Sequence, residues 1–296
     1  KLHIIPIGLS AGFEQEEISN TYFTDTNLLT PIYKKRKKFS HKGDFGHCLI
    51  MGGSYGKIGA AVLATRAALH IGTGLVTAYV PQCGYEIMQI SVPEAMTEVD
   101  SDYELEYFNY KCKPTAIGIG VGMGTSTKSQ EGLATFLKSN KTPLVVDADA
   151  LNILAMHKEL LKLLPPKSIL TPHPKELARL TGTWNDDYEK MEKVAAFSKT
   201  YDCVVLVKGA YTLISYKEIK YFNSTGNPGM ATGGSGDVLA GCIGGLIAQG
   251  LAAPDAARAA ALMHALAGLA AAAEGGERGT LAGDLLPHLR RYANPE

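Results

Sequence analysis

The chain has 296 residues, of which 46% are hydrophobic and 20% are charged, proportions that are ordinary for a soluble enzyme. Its 29 basic and 29 acidic residues balance, so there is no excess positive charge to attract nucleic acid or an anionic membrane. The five cysteines lack the spacing of a zinc site, which favours buried thiols in a reducing compartment. We find neither a signal peptide nor an apolar run long enough to span a bilayer, and therefore expect a cytoplasmic protein with no membrane partner.

Residues 1–40 lack a clear period and contain the basic run Lys34–Lys38. Such a run favours a solvated connecting face over a phosphate-steering patch. We predict a linker or arm over 1–40, leading into one α/β domain over 41–296. Because the chain begins at Lys1 and not at methionine, we also expect a processed product or part of a longer protein.

From Gly46 onward, short apolar runs alternate with helical patterns, which predicts parallel βαβ architecture. The predicted strands are His47–Met51, Leu75–Val80, Ala116–Gly120, Leu144–Asp147, Ser168–Thr171 and Val204–Val207. We predict helices over 59–71, 151–156, 254–273 and 281–292, and a hairpin over 212–222. After Lys220 the chain has no lysine and is rich in alanine, which fits either a distinct lineage of this segment or an engineered replacement.

A glycine-rich loop, Asn223–Asp237, leads directly into apolar residues at helical spacing, Val238–Ile247. Gly233, Gly234 and Gly236 let backbone N–H groups approach a ligand without obstruction by side chains. The unpaired amides at a helix start add partial positive charge. This combination predicts an anion site, most simply for phosphate.

Two interpretations fit Asp237, at the end of this loop. A carboxylate in the first turn of a helix can serve as a cap and favours the helix dipole. It can instead be a general base, aimed at a hydroxyl that loses its proton as a phosphoryl group arrives at the anion site. The density of glycine around Asp237 favours the general base.

Other polar residues follow predicted strands. Asp149, two residues after Asp147, is expected to cap the helix that comes next. His173 lies between two prolines on a rigid turn, where a ligand contact and a structural hydrogen bond are equally consistent. Glu176 favours a first helical turn, and His264, inside an alanine-rich helix, is expected to serve core or interhelical packing.

Neither of the two standard nucleotide-binding fingerprints explains these glycine loops. The motifs instead resemble, in order, those of the ADP/ATP-dependent NAD(P)H-hydrate dehydratases, which share the ribokinase-like fold. The resemblance runs from about residue 40 to the C-terminus, and residues 1–40 resemble the connector that follows the epimerase domain in bifunctional members. It is carried by Gly43–Ser54, Gly59–Ala64, Gly72–Val76, Val146–Asn152, Leu170–Glu176, Lys208–Gly209 and Asn223–Gly241.

The resemblance implies a mainly parallel sheet with helices on both faces. It also implies a lyase of metabolite repair, which uses ADP or ATP with Mg²⁺ to dehydrate NADH hydrate or NADPH hydrate. The ring hydroxyl would be phosphorylated and phosphate expelled. Asp237 would take the hydroxyl proton, and the amides of residues 233–236 would stabilise the charge on phosphate.

Ligand residues carry over by motif. The adenine nucleotide is expected to contact Lys208, Gly209, Ala210, Tyr211, Thr212, Gly233, Gly234, Ser235 and Gly236. The hydrate is expected to contact Ala61, Gly122, His173, Asn227 and Asp237. Asn227 could touch either ligand, although a left-handed backbone would also account for it. The metal ligands are unknown, with Asp147 and Glu176 as candidates for organising magnesium through its bound water.

Two rival functions differ in outcome. A small-molecule kinase of the same fold, acting on a heterocycle or a sugar, would release a stable phosphorylated product. A noncatalytic nucleotide-binding module, regulating a linked N-terminal epimerase domain, would show no turnover. The family resemblance also implies a homo-oligomer.

Overall fold

The computed structural model of the chain describes residues 8, 12, 19–32 and 35–293. Ten strands of the described part form one sheet. They are β1 Thr21–Phe23, β2 His47–Met51, β3 Leu75–Val80, β4 Met96–Val99, β5 Ala116–Ile119, β6 Leu144–Val146, β7 Ile169–Leu170, β8 Val204–Val207, β9 Thr212–Tyr216 and β10 Ile219–Asn223.

The strand order in the sheet is β1-β10-β9-β8-β7-β6-β5-β2-β3-β4. Pairing is parallel except where β9 meets β8 and β10, so β9 alone runs against the others among the described strands. The mainly parallel sheet and the hairpin at Lys217, which takes the positive φ of +56° that a tight turn requires, are therefore confirmed.

The α-helices between and after these strands complete the βαβ units. They are α1 Leu29–Ile32, α2 Ile58–His70, α3 Tyr85–Ser91, α4 Thr127–Ser139, α5 Ala148–Met156, α6 Pro174–Thr181, α7 Asp187–Tyr201, α8 Ser235–Ala248, α9 Ala253–Gly275 and α10 Ala282–Tyr292.

The sheet has a hydrophobic core on each face. Along β2, Cys48 and Ile50 pack with α8, α9 and α10, while Leu49 and Met51 pack with α4, α5 and α6 on the other face. Alternate residues of a strand point to opposite faces, so a strand buried on both sides must be apolar throughout. This is why unbroken apolar runs such as Val204–Val207 were predictable as strands.

The segment predicted as a linker contributes to the fold. Thr21–Phe23 pairs with β10, and the Arg36 guanidinium lies 3.9 Å from the centre of the Phe45 ring. Lys35, Lys37 and Lys38 are exposed, as expected of a solvated face, while Lys34 lies outside the described residues.

Helix α9 corrects one expectation from sequence. By length and composition alone, α9 could cross a membrane, whereas the sequence analysis expected no apolar run of that length. About two-thirds of the apolar stretch (67%) is buried inside the protein. Its small alanine side chains pack against α8 and α10, which accounts for its apolar character without a bilayer.

Candidate active site

Charged side chains and glycine turns gather where the central parallel strands end. A glycine turn follows β2 and another follows β5, Asp147 comes directly after β6, and Lys208 comes directly after β8. In open α/β sheets ligands bind at the carboxyl ends of the strands. The start of α8 packs over the same edge.

The start of α8 is shaped by glycine. Gly234 precedes the helix at φ +90°, and a Cβ there would run into the side chain of Leu63. Only glycine accepts that conformation and that space. No side chain caps α8 at this position, so its first N–H groups are not engaged by a cap. Such a helix start suits a phosphate oxygen.

Lys208 and Asp147 form a close ion pair beside this helix start. The Lys208 ammonium lies 2.6 Å from the Asp147 carboxylate, which is only 2% exposed. A Cβ on Gly236 would lie 3.4 Å from the Lys208 Nζ atom and 3.8 Å from the second Asp147 oxygen. The ammonium therefore faces the first turn of α8, where the sequence predicted an anion.

Asp237 lies in the same first turn, and its pKa is raised to about 6. Burial is the largest cause, and the Asp147 and Asp149 carboxylates add repulsion that Lys208 only partly offsets. A carboxylate with such a pKa is ionised at neutral pH, yet it holds a proton more strongly than an ordinary aspartate. The general-base interpretation of Asp237 therefore fits better than the capping interpretation. The N-cap of α8 is Gly234, and no side-chain cap hydrogen bond is present there.

Asp149 does not cap α5 as expected. The helix begins earlier, at Ala148, so Asp147 occupies the N-cap position and Asp149 falls in the first turn. The Asp149 carboxylate accepts a hydrogen bond of 2.9 Å from the Gly124 N–H and lies 3.8 Å from the Lys57 ammonium. Asp149 thus ties the turn after β5 to the start of α2.

His173 makes structural hydrogen bonds, which the sequence had offered as one of two roles for this residue. Its Nδ1 atom accepts hydrogen bonds from the Lys175 and Glu176 N–H groups, and the Glu176 carboxylate accepts one from the His173 N–H. This capping box starts α6. The imidazole remains partly exposed, and whether it also contacts the hydrate stays a prediction.

Asn227 is not left-handed: its φ is −146°, and the positive φ of this turn belongs to Gly226 at +117°. The Asn227 Oδ1 atom accepts a hydrogen bond of 2.9 Å from the Gly229 N–H, and its buried Nδ2 atom has no protein partner. The structural explanation for this residue is therefore a capping turn at Pro228–Met230.

Ala61 lies beside the glycine turn that follows β2, since a Cβ on Gly53 would be 3.5 Å from the Ala61 Cβ atom. It is fully buried with Ile58 and Ala78 beneath α2. Its neighbour Ala60 is partly exposed and would lie 3.0 Å from a Cβ on Gly122. Because one residue rotates a helix by about 100°, the position next to Gly122 falls to Ala60.

The loop after β8 presents the other predicted nucleotide residues to solvent. Gly209, Ala210 and Tyr211 are exposed, and the Thr212 hydroxyl donates a hydrogen bond of 3.1 Å to the Gly209 carbonyl. The described residues contain no cluster of three or more His, Cys, Asp or Glu side chains that could hold a metal ion. Asp147 and Glu176 are both engaged in the contacts above.

The comparisons with known proteins agree with this geometry. A family model described as NAD(P)H-hydrate dehydratase matches residues 48–291. The chain belongs to the NAD(P)H-hydrate dehydratase family. It is 39% identical over 272 residues to an ADP-dependent (S)-NAD(P)H-hydrate dehydratase of Neisseria meningitidis, covering 89% of this chain and 90% of that protein.

Solved structures confirm the ribokinase-like fold of this family member. A ribokinase-like protein of Enterococcus faecalis matches with a TM-score of 0.80 over 94% of this chain and 96% of that one, at 23% identity. An ADP/ATP-dependent NAD(P)H-hydrate dehydratase of Bacillus subtilis, co-crystallised with ATP/Mg²⁺, matches with a TM-score of 0.79 over 93% and 98%, at 27% identity.

The chain spans little more than half the length of some curated relatives. It is 39% identical over 298 residues to a bifunctional NAD(P)H-hydrate repair enzyme of Coxiella burnetii, covering 98% of this chain and 59% of that protein. The matched region corresponds to the dehydratase family model and leaves a further part of the relative unmatched.

His264 makes a contact at the start of α8 that the sequence did not predict. Its Nε2–H donates a hydrogen bond of 2.9 Å to the Ser235 carbonyl, joining α9 to the first residue of α8. Burial lowers the pKa of His264 to about 4, so the imidazole is neutral at physiological pH. The interhelical role expected from sequence is confirmed, but no local pattern indicated the partner.

Proposed function

We propose that this chain dehydrates NADH hydrate or NADPH hydrate at the expense of a nucleotide phosphate, restoring the reduced dinucleotide. The observation that carries the proposal is the Asp237 carboxylate with its raised pKa, lying in the first turn of α8 beside the Lys208–Asp147 pair. The family and the names of its relatives supply the substrate.

The chemistry assigns a task to each of these groups. Asp237 takes the proton of the ring hydroxyl, whose oxygen then bonds to the terminal phosphorus of the nucleotide as the bond from that phosphorus to the bridging oxygen breaks, releasing AMP from ADP or ADP from ATP. The Lys208 ammonium and the α8 amides stabilise the transferred phosphoryl group. The ring nitrogen lone pair next expels inorganic phosphate, and loss of a proton from the adjacent ring carbon restores the double bond.

The nucleotide fits the cradle formed by Lys208, the exposed Gly209–Tyr211 loop and the start of α8. ADP is favoured because the Neisseria meningitidis relative is named as ADP-dependent. Mg²⁺ would be held chiefly by the nucleotide phosphates, since it binds through few carboxylates and the described residues form no metal cage. When bound, it neutralises phosphate charge.

The bifunctional relatives support a further proposal about the whole protein. An epimerase domain linked to the arm at residues 1–40 would supply the epimer that this domain consumes, and the protein would act as a homo-oligomer in the cytoplasm. Gel filtration with light scattering of the full-length protein tests the assembly.

The test follows reduced-nicotinamide absorbance with each hydrate, Mg²⁺ and either ADP or ATP. We expect recovery of absorbance with release of inorganic phosphate, and a loss of about 10²- to 10⁴-fold in kcat for Asp237→Asn, because a general base contributes that much. Asp255→Asn is a matched control, since Asp255 also lies in the first turn of a helix.

The result separates the alternatives. A stable phosphorylated product without recovery of absorbance would identify a kinase. Folded protein without turnover with either nucleotide would leave a binding module and overturn the proposal. Loss of activity in Asp255→Asn equal to that in Asp237→Asn would remove the special role of Asp237.

A further inference from the structure

An open cleft of about 700 Å³ lies beside the candidate active site, between the turn after β2 and the loop after β4. We call it the tyrosine cleft, because Tyr55, Tyr103 and Tyr107 line it. Its size is that of a small-molecule site. In the sheet it lies on the β2–β4 side, whereas Lys208 lies on the β8 side, with β5, β6 and β7 between them.

The tyrosines of this cleft are unusually open to solvent. Tyr55, Tyr103 and Tyr107 are 74%, 64% and 68% exposed. The rings of Tyr55 and Tyr103 pack edge to face with centroids 5.6 Å apart. Single exposed aromatics are common, but three around one cleft mark a surface that a flat aromatic ligand can cover.

The loop that carries two of these rings is held in place by its own side chains. The Asp100 carboxylate accepts hydrogen bonds of 2.8 Å from the Glu106 N–H and 3.0 Å from the Tyr107 N–H. The Tyr55 N–H donates a hydrogen bond of 2.8 Å to the Tyr103 carbonyl, which joins the two walls. A ligand therefore meets a preformed surface and need not order it.

The tyrosine cleft adjoins the candidate active site through two residues of its wall. The Ser54 hydroxyl, in its wall, donates a hydrogen bond of 2.8 Å to the Gly122 carbonyl. Lys57, also in the wall, lies 3.8 Å from Asp149, whose charge helps to raise the pKa of Asp237. A molecule that places one end at Asp237 can thus extend past Gly122 into the cleft.

The charges of the cleft suit hydroxyl groups better than phosphate. Its lysines are already paired: Lys128 lies 3.1 Å from Glu106, and Lys57 lies beside Asp149. The Asp102 and Glu104 carboxylates also line the cleft. Carboxylates accept hydrogen bonds from ribose hydroxyls and repel a phosphate placed on the same ribose.

We infer that the tyrosine cleft binds the adenosine half of the hydrated dinucleotide and favours NADH hydrate over NADPH hydrate. The base stacks on the exposed tyrosines, and the acidic wall disfavours the 2′-phosphate. This inference rests on the proposed function for the placement of the nicotinamide end, but the cleft can be tested by binding alone.

The first experiment compares the wild type with Tyr55→Ala, using Tyr188→Ala as a matched control because Tyr188 is 78% exposed on α7. We expect the Kd for NADH, from fluorescence titration, to rise about tenfold in Tyr55→Ala, because stacking of a base on an aromatic ring is worth about 1–3 kcal/mol. The Kd for reduced nicotinamide mononucleotide, which lacks adenosine, should not change.

The second experiment measures kcat and KM for both hydrates and for the nucleotide donor. Tyr55→Ala should raise the hydrate KM about tenfold with kcat and the donor KM unchanged. Asp102→Asn should shift the kcat/KM ratio severalfold towards NADPH hydrate, as removal of a like charge predicts.

The outcomes decide between the cleft and its rivals. An unchanged NADH Kd in Tyr55→Ala would overturn the inference, as would a rise in donor KM alone, which would place the adenine of the donor there. An equal rise in the Kd for reduced nicotinamide mononucleotide in Tyr55→Ala would also overturn the inference. If the wild type turns over neither hydrate, the proposed function fails, while the NADH titration still decides what the cleft binds.

Discussion

Asp237 combines a raised pKa with a position beside two other carboxylates, and this carries a cost in stability. Its pKa rises from 3.8 to about 6, so the folded protein holds this proton more tightly than the unfolded chain does. Below pH 4 both states are protonated and the cost is absent. Above about pH 6 both are ionised and the cost is fully present.

We therefore expect Asp237→Asn to be more stable than the wild type at pH 7.5 by about 1–2 kcal/mol, since one pKa unit corresponds to about 1.4 kcal/mol and partial solvent exposure reduces the effect. The gain should disappear as the pH falls from about 6 to 4. Urea unfolding across this range measures it. A variant that is less stable than the wild type at pH 7.5 would contradict the raised pKa.

The predictability of the site also differs from residue to residue. Asp237 and the loop glycines were identifiable because their chemistry is local: glycine, helix start and charge lie within a few positions. Lys208 was identified only through the family resemblance, because it lies far from this loop in the chain. The helical residue next to Gly122 is Ala60 and not Ala61, a difference of one position that a motif does not fix, and contact of Ala61 with the hydrate stays a prediction. The His264–Ser235 contact and the tyrosine cleft depend on elements far apart in the chain, which no spacing reveals.

At the scale of elements, the contact between α2 and α8 depends on a glycine. A Cβ on Gly241 would overlap the Ala64 carbonyl. The backbones of the two helices are therefore in direct contact at this point, because Gly241 has no side chain. This contact holds α8, and with it Asp237, at the strand ends.

Gly241→Ala should therefore destabilise the protein by about 1–3 kcal/mol, as overpacking does, although alanine is the better helix former. Gly59→Ala is the matched control, because Gly59 lies in α2 with open space around it, and it should gain up to about 0.5 kcal/mol. Thermal unfolding of both variants compares them. Equal changes in the unfolding temperature of the two variants would show that the close packing at Gly241 does not cause the destabilisation.

The strands that could be predicted are those buried on both faces, such as Leu75–Val80 and Val204–Val207. The edge strands β1 and β4 escaped prediction because they have only 3 and 4 residues and none of these residues is buried. Helix α7 escaped for a related reason: it buries only Val194, Phe197 and Ser198, so its apolar stripe is narrow among charged residues.

For the whole molecule, part of the predicted arm joins the sheet as β1. Tyr22 stacks on Tyr221 with ring centroids 5.6 Å apart, and the Thr24 N–H donates a hydrogen bond of 2.8 Å to the Phe222 carbonyl. These contacts cover the outer edge of β10, which would otherwise be open to pairing with another chain.

A chain starting at residue 41 should therefore unfold at a lower temperature than one starting at residue 19 and associate more readily. Calorimetry and light scattering at several protein concentrations test this. Equal midpoints for both truncations would return residues 19–40 to the role of a linker.

The placement of Lys208 after β8 and of the tyrosine cleft beside β2 and β4 also bears on the order of events in a catalytic cycle. With the nucleotide at Lys208 and the hydrate in the tyrosine cleft, as we propose, the two reactants approach the carboxylates from different sides, and neither covers the entrance of the other. Random addition, through a ternary complex, is then the expected kinetic scheme. The spent nucleotide can depart while the restored dinucleotide is still held, and one slow release need not hold back the other.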